Sequence, residues 1–159
     1  MSEEREEILG KVRQGVQLTR TERFEEAMEL FESCLPPLAE GDIADKRAAA
    51  AAFSYYGLCV AKVKRRYAEA VKYCSISLRA HPYDPDHRAN LALVYLERND
   101  RRRAVEQLNK GLRLQTTNPT INQVYSMIGR RQRPVVPFLP RSNPINVWLG
   151  KKRRGKGSP

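Results

Sequence analysis

The sequence has no run of apolar residues that reaches the roughly 18–20 needed to span a membrane, and it has little that suggests catalysis. The stretch 1–7 is acidic and lacks the apolar core of a secretory signal, so we expect a cytoplasmic protein. There is no glycine-rich phosphate loop and no nucleophile motif. These absences predict a protein that is not an enzyme and that needs no cofactor.

Cysteine and histidine are also scarce. The three cysteines are odd in number and match no metal-ligand spacing, and Cys34 and Cys74 fall on apolar helical stripes. We expect small buried side chains in a reducing compartment rather than redox or metal chemistry. His81 and His87 flank a proline-containing turn with Asp84 nearby, and we expect both histidines at the surface with no metal bound.

Positive charge is unevenly distributed. The net charge is +11, and from Arg130 onward there are nine lysines and arginines and no acid. Residues 1–45 contain 5 basic and 12 acidic side chains, whereas residues 46–129 contain 15 and 6. The body therefore has an acidic end and a basic end, and most of the excess charge lies in the C-terminal tail.

Three segments of the chain share one spacing of small and apolar residues. The offsets 3, 1, 3, 3, 1 recur in segments that start at Phe24, Tyr67 and Arg101. Ala70 and Ala104 lie 34 residues apart, while Ala27 and Ala70 lie 43 apart, which is one period plus nine residues. A period of about 34 indicates a helical repeat.

Local patterns predict seven helices, with Pro36-Pro37 ending the second and Pro85 opening the fifth. The expected helices are 3–19, 24–35, 45–63, 67–80, 85–98, 101–114 and 120–131. We divide the chain into a helical repeat domain (1–133), an apolar segment broken by prolines (134–149) and a basic disordered tail (150–159).

The repeat resembles the tetratricopeptide repeat (TPR) over roughly residues 8–131. The matching positions are a small residue in each first helix (Gly15, Gly57, Ala92), an aromatic opening the second (Phe24, Tyr67), two further small sites (Ala27, Ala70, Ala104 and Cys34, Ser77, Gly111) and a terminal proline (Pro82). Arg101 departs from the aromatic pattern, and the second repeat has one extra residue in its turn. The resemblance implies an all-α fold of antiparallel helix pairs in a right-handed solenoid, with about three units and a capping helix.

The same resemblance implies a concave groove, lined by the first helix of each repeat, that binds a peptide or helix of a protein partner. By register its lining includes Arg13, Val16, Ser54, Tyr55, Leu58, Lys62, Asn90, Leu93, Glu97 and Met127. Asn90 occupies a place where the family often grips a peptide backbone, although it is equally well an ordinary surface residue.

Members that bind chaperone C-terminal carboxylates use cations and amides where this chain has Val12, Val16, Asp86 and Asn90. Two of the cations are missing and one anion is present. The resemblance therefore argues against a terminal carboxylate as the ligand of this chain.

The C-terminal segment is apolar despite its prolines, so we expect it to dock. The docking candidates are Phe138, Leu139, Ile145, Trp148 and Leu149, with the repeats, a partner or a second copy in a homodimer as the alternatives. The ending around 137–151 also looks like the endings of small bacterial proteins of this repeat class.

The last ten residues have two interpretations. They contain Lys151, Lys152, Arg153, Arg154 and Lys156, which either contact an anionic scaffold such as RNA, DNA or a membrane surface or simply keep a disordered end in solution. We therefore expect a non-enzymatic adaptor or scaffold that binds protein. The alternative is an accessory factor held on an anionic scaffold by this tail.

Overall fold

The computed structural model describes residues 2–39, 45–128, 143–145 and 147–148. Within them are seven α-helices and no strand. The helices are α1 (Ser2–Arg20), α2 (Phe24–Ala39), α3 (Lys46–Cys59), α4 (Tyr67–Ala80), α5 (Pro85–Glu97), α6 (Arg101–Leu114) and α7 (Pro119–Ile128). No helix among the described residues is long and apolar enough to cross a membrane.

The chain divides into an N-terminal unit, Met1–Met127, and a C-terminal unit, Ile128–Pro159. In the N-terminal unit α1 packs against α2, α3 against α4 and α5 against α6. The first helices also contact one another, α1 with α3 and α3 with α5. The expectation of an all-α array of helix pairs is confirmed.

The first two helix pairs each close around a glycine. A Cβ on Gly57 of α3 would lie 2.8 Å from Cys74 Sγ and 2.9 Å from the Ala70 carbonyl oxygen, both in α4. A Cβ on Gly15 of α1 would likewise lie 2.8 Å from the ring of Phe31 in α2. The small residues in the repeated pattern therefore set how closely the two helices of a pair approach.

The extra residue of the second repeat lies in a π-helical turn, Val60–Lys64, at the end of α3. In the second repeat the left-handed turn residue Arg65 comes eight residues after Gly57. In the other two repeats the interval is seven residues, from Gly15 to Glu22 and from Ala92 to Asn99. A π-turn accommodates one residue more than an α-turn. It thus absorbs the insertion before the turn and leaves the register of α4 unchanged.

All three turns inside the helix pairs reverse direction in the same way. Glu22, Arg65 and Asn99 have φ angles of 61°, 53° and 62°, in the left-handed region. Each lies five residues before the alanine that matches the repeat pattern in its second helix, namely Ala27, Ala70 and Ala104. The repeat therefore extends to backbone conformation as well as to side-chain size.

Short acidic or amide side chains start several of the helices. The Asp45 carboxylate accepts hydrogen bonds from the backbone N–H groups of Arg47 and Ala48, and Asp84 and Asp100 cap α5 and α6 in a similar way. The Asn118 side chain accepts from Ile121 N at 2.9 Å. These caps satisfy amides that have no partner within their own helix.

The prediction that Pro36-Pro37 would end α2 is wrong, because the helix continues to Ala39. Each proline removes one helical hydrogen bond, but its φ angle suits a helix. Leu38 is buried in the core, so the last turn gains apolar burial that offsets the missing bonds. The loop expected to follow falls largely on residues 40–44, outside the described part of the chain.

The core of the N-terminal unit is apolar and contains the cysteines. Phe31, Val60 and Val94 have no exposed surface, and Cys34, Cys59 and Cys74 are buried and free of disulfides. Burial raises the pKa of the Cys59 thiol to about 11 and that of Cys74 to about 12. The expectation of small buried side chains is confirmed.

We predict that Gly57→Ala lowers the free energy of unfolding by roughly 1–3 kcal/mol, because the new methyl group overlaps backbone atoms of α4 that have no room to move. Chemical denaturation monitored by helical circular dichroism measures the change.

The matched control is Gly10→Ala in α1. In the described part of the chain no heavy atom of another element lies within 4 Å of the position that a Cβ at Gly10 would take, so alanine should stabilise the helix by up to about 1 kcal/mol. Equal effects at the two positions would contradict the close approach at Gly57.

Candidate functional site

The first helices of the three repeats lie side by side and are joined by polar side chains, and Asn118, which caps the start of α7, also bonds to α5. We call the surface formed by α1, α3, α5 and α7 the first-helix face. Asn90 Nδ2 of α5 donates to Ser54 Oγ of α3 at 3.0 Å, and both residues are buried. A buried hydrogen bond of this kind fixes the register between two helices, because either group alone would lack a partner.

Arg20 forms a second set of links at one edge of this face. Its Nη2 donates to the Tyr55 hydroxyl of α3 at 3.2 Å and to Asp86 Oδ2 of α5 at 3.3 Å. Asn118 Nδ2, at the start of α7, donates to the other Asp86 oxygen at 3.2 Å. Asp86 therefore connects residues from the beginning and the end of the repeat array.

Tyr55 is held in this arrangement as a neutral side chain. Burial raises the pKa of its hydroxyl, while the hydrogen bond and charge of Arg20 oppose that rise. The Arg20 guanidinium also lies 5.9 Å from the centre of the Tyr55 ring. Tyr55 thus contributes a hydroxyl that accepts a hydrogen bond and a ring that makes a cation–π contact.

Lys62 lies on the π-helical turn and connects two other helices. Its Nζ is 2.6 Å from Glu97 Oε1 of α5 and 5.5 Å from the ring centre of Phe24 in α2. The pair is partly exposed, so its net contribution to stability is about 0–1 kcal/mol. It joins the ends of α3 and α5, whereas Arg20 joins the end of α1 to the start of α5.

The fold of the chain is similar to that of two solved structures. The Hsp90 co-chaperone Cns1 from Saccharomyces cerevisiae (delta69) matches with a TM-score of 0.61 and 20% identity, over 96% of this chain and 45% of that one. YrrB, a TPR protein with an unusual peptide-binding site, matches with a TM-score of 0.47 and 18% identity, over 70% of this chain and 71% of that one.

The match to Cns1 covers almost the whole chain and includes its helix pairs only as part of that coverage, so it concerns the overall all-α repeat fold. The chain has the TPR fold. It spans less than half the length of Cns1, and the likeness concerns the fold alone. No protein-family model matches the sequence, and no curated protein matches it.

The residues predicted to line the TPR groove are distributed between the core and the surface. Buried are Ser54, Tyr55, Leu58 and Asn90; partly buried are Val16, Lys62, Leu93 and Glu97; exposed are Arg13 and Met127. They lie on α1, α3, α5 and α7, except Lys62, which lies on the π-helical turn after α3. The role of these residues in binding a partner stays a prediction.

Two of the residues that hold the face together, Arg20 and Asn118, are not among those predicted from the sequence. The sequence places Arg20 in a turn and Asn118 at a helix cap, yet both reach Asp86 on another helix. The available signal for Arg20 is its position four residues after Val16, on the same helical face. Nothing in the local sequence of Asn118 predicts its second partner.

The predicted surface position of His87 is wrong. His87 is buried, whereas His81 is only partly buried. The helix α5 begins at Pro85 and turns its third residue inward. The apolar residues near His87, Tyr83 and Ala89, do not form a helical pattern from which its burial could be predicted.

The C-terminal unit is described only in part. Asn143 starts a helical turn, because its Oδ1 accepts from Ile145 N and its carbonyl oxygen accepts from Val147 N, both at 3.0 Å. Ile145 and Trp148 belong to this turn. The other docking candidates, Phe138, Leu139 and Leu149, and the basic residues from Lys151 to Lys156 lie outside the described residues, and their roles stay predictions.

We predict that Asn90→Ala lowers the free energy of unfolding by roughly 1–3 kcal/mol, because it leaves the Ser54 hydroxyl buried without a partner. The double variant with Ser54→Ala should be less destabilised than the sum of the two single variants, with a coupling of about 1 kcal/mol. Denaturant unfolding of the four proteins measures this coupling. Additive effects would contradict a bond between α3 and α5.

Proposed function

We propose that the chain is a non-enzymatic adaptor whose first-helix face binds a peptide or a helix of a protein partner. The observation that supports this most is the set of side-chain bonds linking α1, α3, α5 and α7. Because the links are made before any ligand binds, the face has little conformational entropy left to lose on binding.

The surface left on this face is suited to a mixed ligand. Arg13 and Met127 are exposed, and Met127 is 67% accessible. Val16 and Leu93 are half-buried apolar residues on α1 and α5 of the same face. An apolar side chain of the partner would bury against Val16 and Leu93. Methionine adapts its shape to different apolar ligands, and Arg13 adds a cation at one end.

The co-chaperone role named for Cns1 agrees in kind with this proposal but identifies no ligand. Val12 is buried and Asp86 already binds Arg20 and Asn118. These positions leave no pair of cations for a terminal carboxylate. We therefore propose an internal segment of the partner rather than its C-terminus.

Variants that test the face must avoid its buried members, because Tyr55 and Leu58 are only 6% and 4% exposed and a charge there would unfold the repeat. We predict that Arg13→Glu combined with Met127→Glu reduces recovery of co-purifying proteins at least tenfold. Both changes add negative charge at exposed positions of the first-helix face. Quantitative mass spectrometry of the bound fraction measures the loss.

The matched control is Lys72→Glu combined with Arg102→Glu, two exposed positions on the second helices α4 and α6. It should retain the partners of the unmodified chain. Equal recovery with both double variants would contradict binding at the first-helix face, and so would loss with the control alone.

The second candidate function, attachment to an anionic scaffold through residues 150–159, is supported by sequence charge alone. We predict that deletion of these ten residues abolishes association with that scaffold, and that rising salt weakens association of the full chain. Sedimentation with ribosomes, DNA or anionic vesicles at two salt concentrations measures both. Unchanged association after the deletion would contradict this role.

A further inference from the structure

Two histidines and one carboxylate meet at the turn between α4 and α5. His81 directly follows α4, Asp84 caps the start of α5, and His87 lies in the first turn of α5. One potential ligand atom from each residue lies within 4.8 Å of those from the other two. The group lies at the junction of the second and third repeats, and none of its members belongs to the links of the first-helix face.

His87 is the unusual member of this group. Its side chain is 3% exposed, yet neither ring nitrogen has a hydrogen-bond partner in the part of the chain that the structure describes. The nearest Asp84 oxygen is 3.9 Å from Nε2, which is beyond hydrogen-bonding distance. The Nδ1 atom of His81 is likewise buried without a described partner.

Buried polar atoms in folded proteins almost always have a partner. Leaving several of them unpaired in one turn would lower the stability of the fold. We therefore expect a bound species to contact these nitrogens. Water and a metal ion are the two candidates. The combination of two imidazoles with a carboxylate oxygen favours the metal ion, because it is a common ligand set for zinc.

We propose that His81, Asp84 and His87 bind a divalent transition-metal ion of the zinc type, with a fourth position open to water or to a side chain of a partner. Nitrogen ligands favour such ions over calcium and magnesium, which prefer all-oxygen sites. Metal–ligand bonds of about 2.0–2.2 Å require the three ligand atoms to approach to roughly 3.5 Å. Small side-chain rotations within their staggered wells supply a closure of about 1 Å.

A metal ion here would join the end of α4 to the start of α5. Asp86, which binds Arg20 and Asn118, lies between the ligands Asp84 and His87 in the same first turn. The ion would thereby stabilise the part of α5 that connects the outer helices. This consequence is independent of the proposed adaptor function, since it concerns the folded chain without any partner.

The test is titration of the full chain with zinc chloride, after removal of any polyhistidine tag and dialysis against a chelator. Isothermal titration calorimetry should show one zinc ion bound per chain. We predict that Asp84→Asn and His81→Asn each weaken binding at least tenfold. Asparagine at 84 keeps the helix cap and removes only the charged ligand, so the fold should be retained.

The matched control is Asp100→Asn, the same change at the cap of α6, which should bind zinc like the unmodified chain. A second measurement uses the fact that the chain has two histidines. In nitrogen-15 NMR, ring nitrogen signals of both should shift when zinc is added. The proposal would be overturned if the chain bound no zinc, if Asp84→Asn and His81→Asn bound it normally, or if the ring signals did not move.

Discussion

The rest of the structure depends on the close approach of the two helices in each pair. At Gly57 the distance from a potential methyl group to the Ala70 carbonyl would be 2.9 Å, so only glycine fits without displacing α4. The equivalent positions Gly15 and Ala92 are also small. Each turn inside a pair contains one left-handed residue, and successive pairs stack with their first helices adjacent. The face formed by those helices is a consequence of the spacing of small residues.

The polar contacts across that face have a different physical character from the core. Ser54 and Asn90 are buried and satisfy each other, so they specify how the second and third repeats align. Arg20 and Asp86 are more exposed and contribute less to stability, but together with Asn118 they connect the first repeat to α7. The interior of the face is therefore fixed, while side chains such as Arg13 and Met127 remain at its surface. The proposed binding role rests on this division.

The sequence predicted the helix pairs well because periodicity and small-residue spacing are local properties. α4 and α6 begin and end where the pattern places them, and Pro85 opens α5 as expected. The continuation of α2 past Pro36 was missed because it depends on burial of Leu38, which is a tertiary effect. The burial of His87 and the bonds of Arg20 were missed for the same reason. The register placed most of the groove candidates on the first helices, but it could not show which of them face neighbouring helices rather than solvent.

Hydrogen–deuterium exchange of the full chain, with and without its co-purified partner, tests most directly whether the first-helix face is the binding surface. The expected result is slower exchange on binding in peptides from α1, α3, α5 and α7, with α2, α4 and α6 unchanged. Slower exchange confined to the second helices, or no change anywhere between residues 2 and 128, would contradict it.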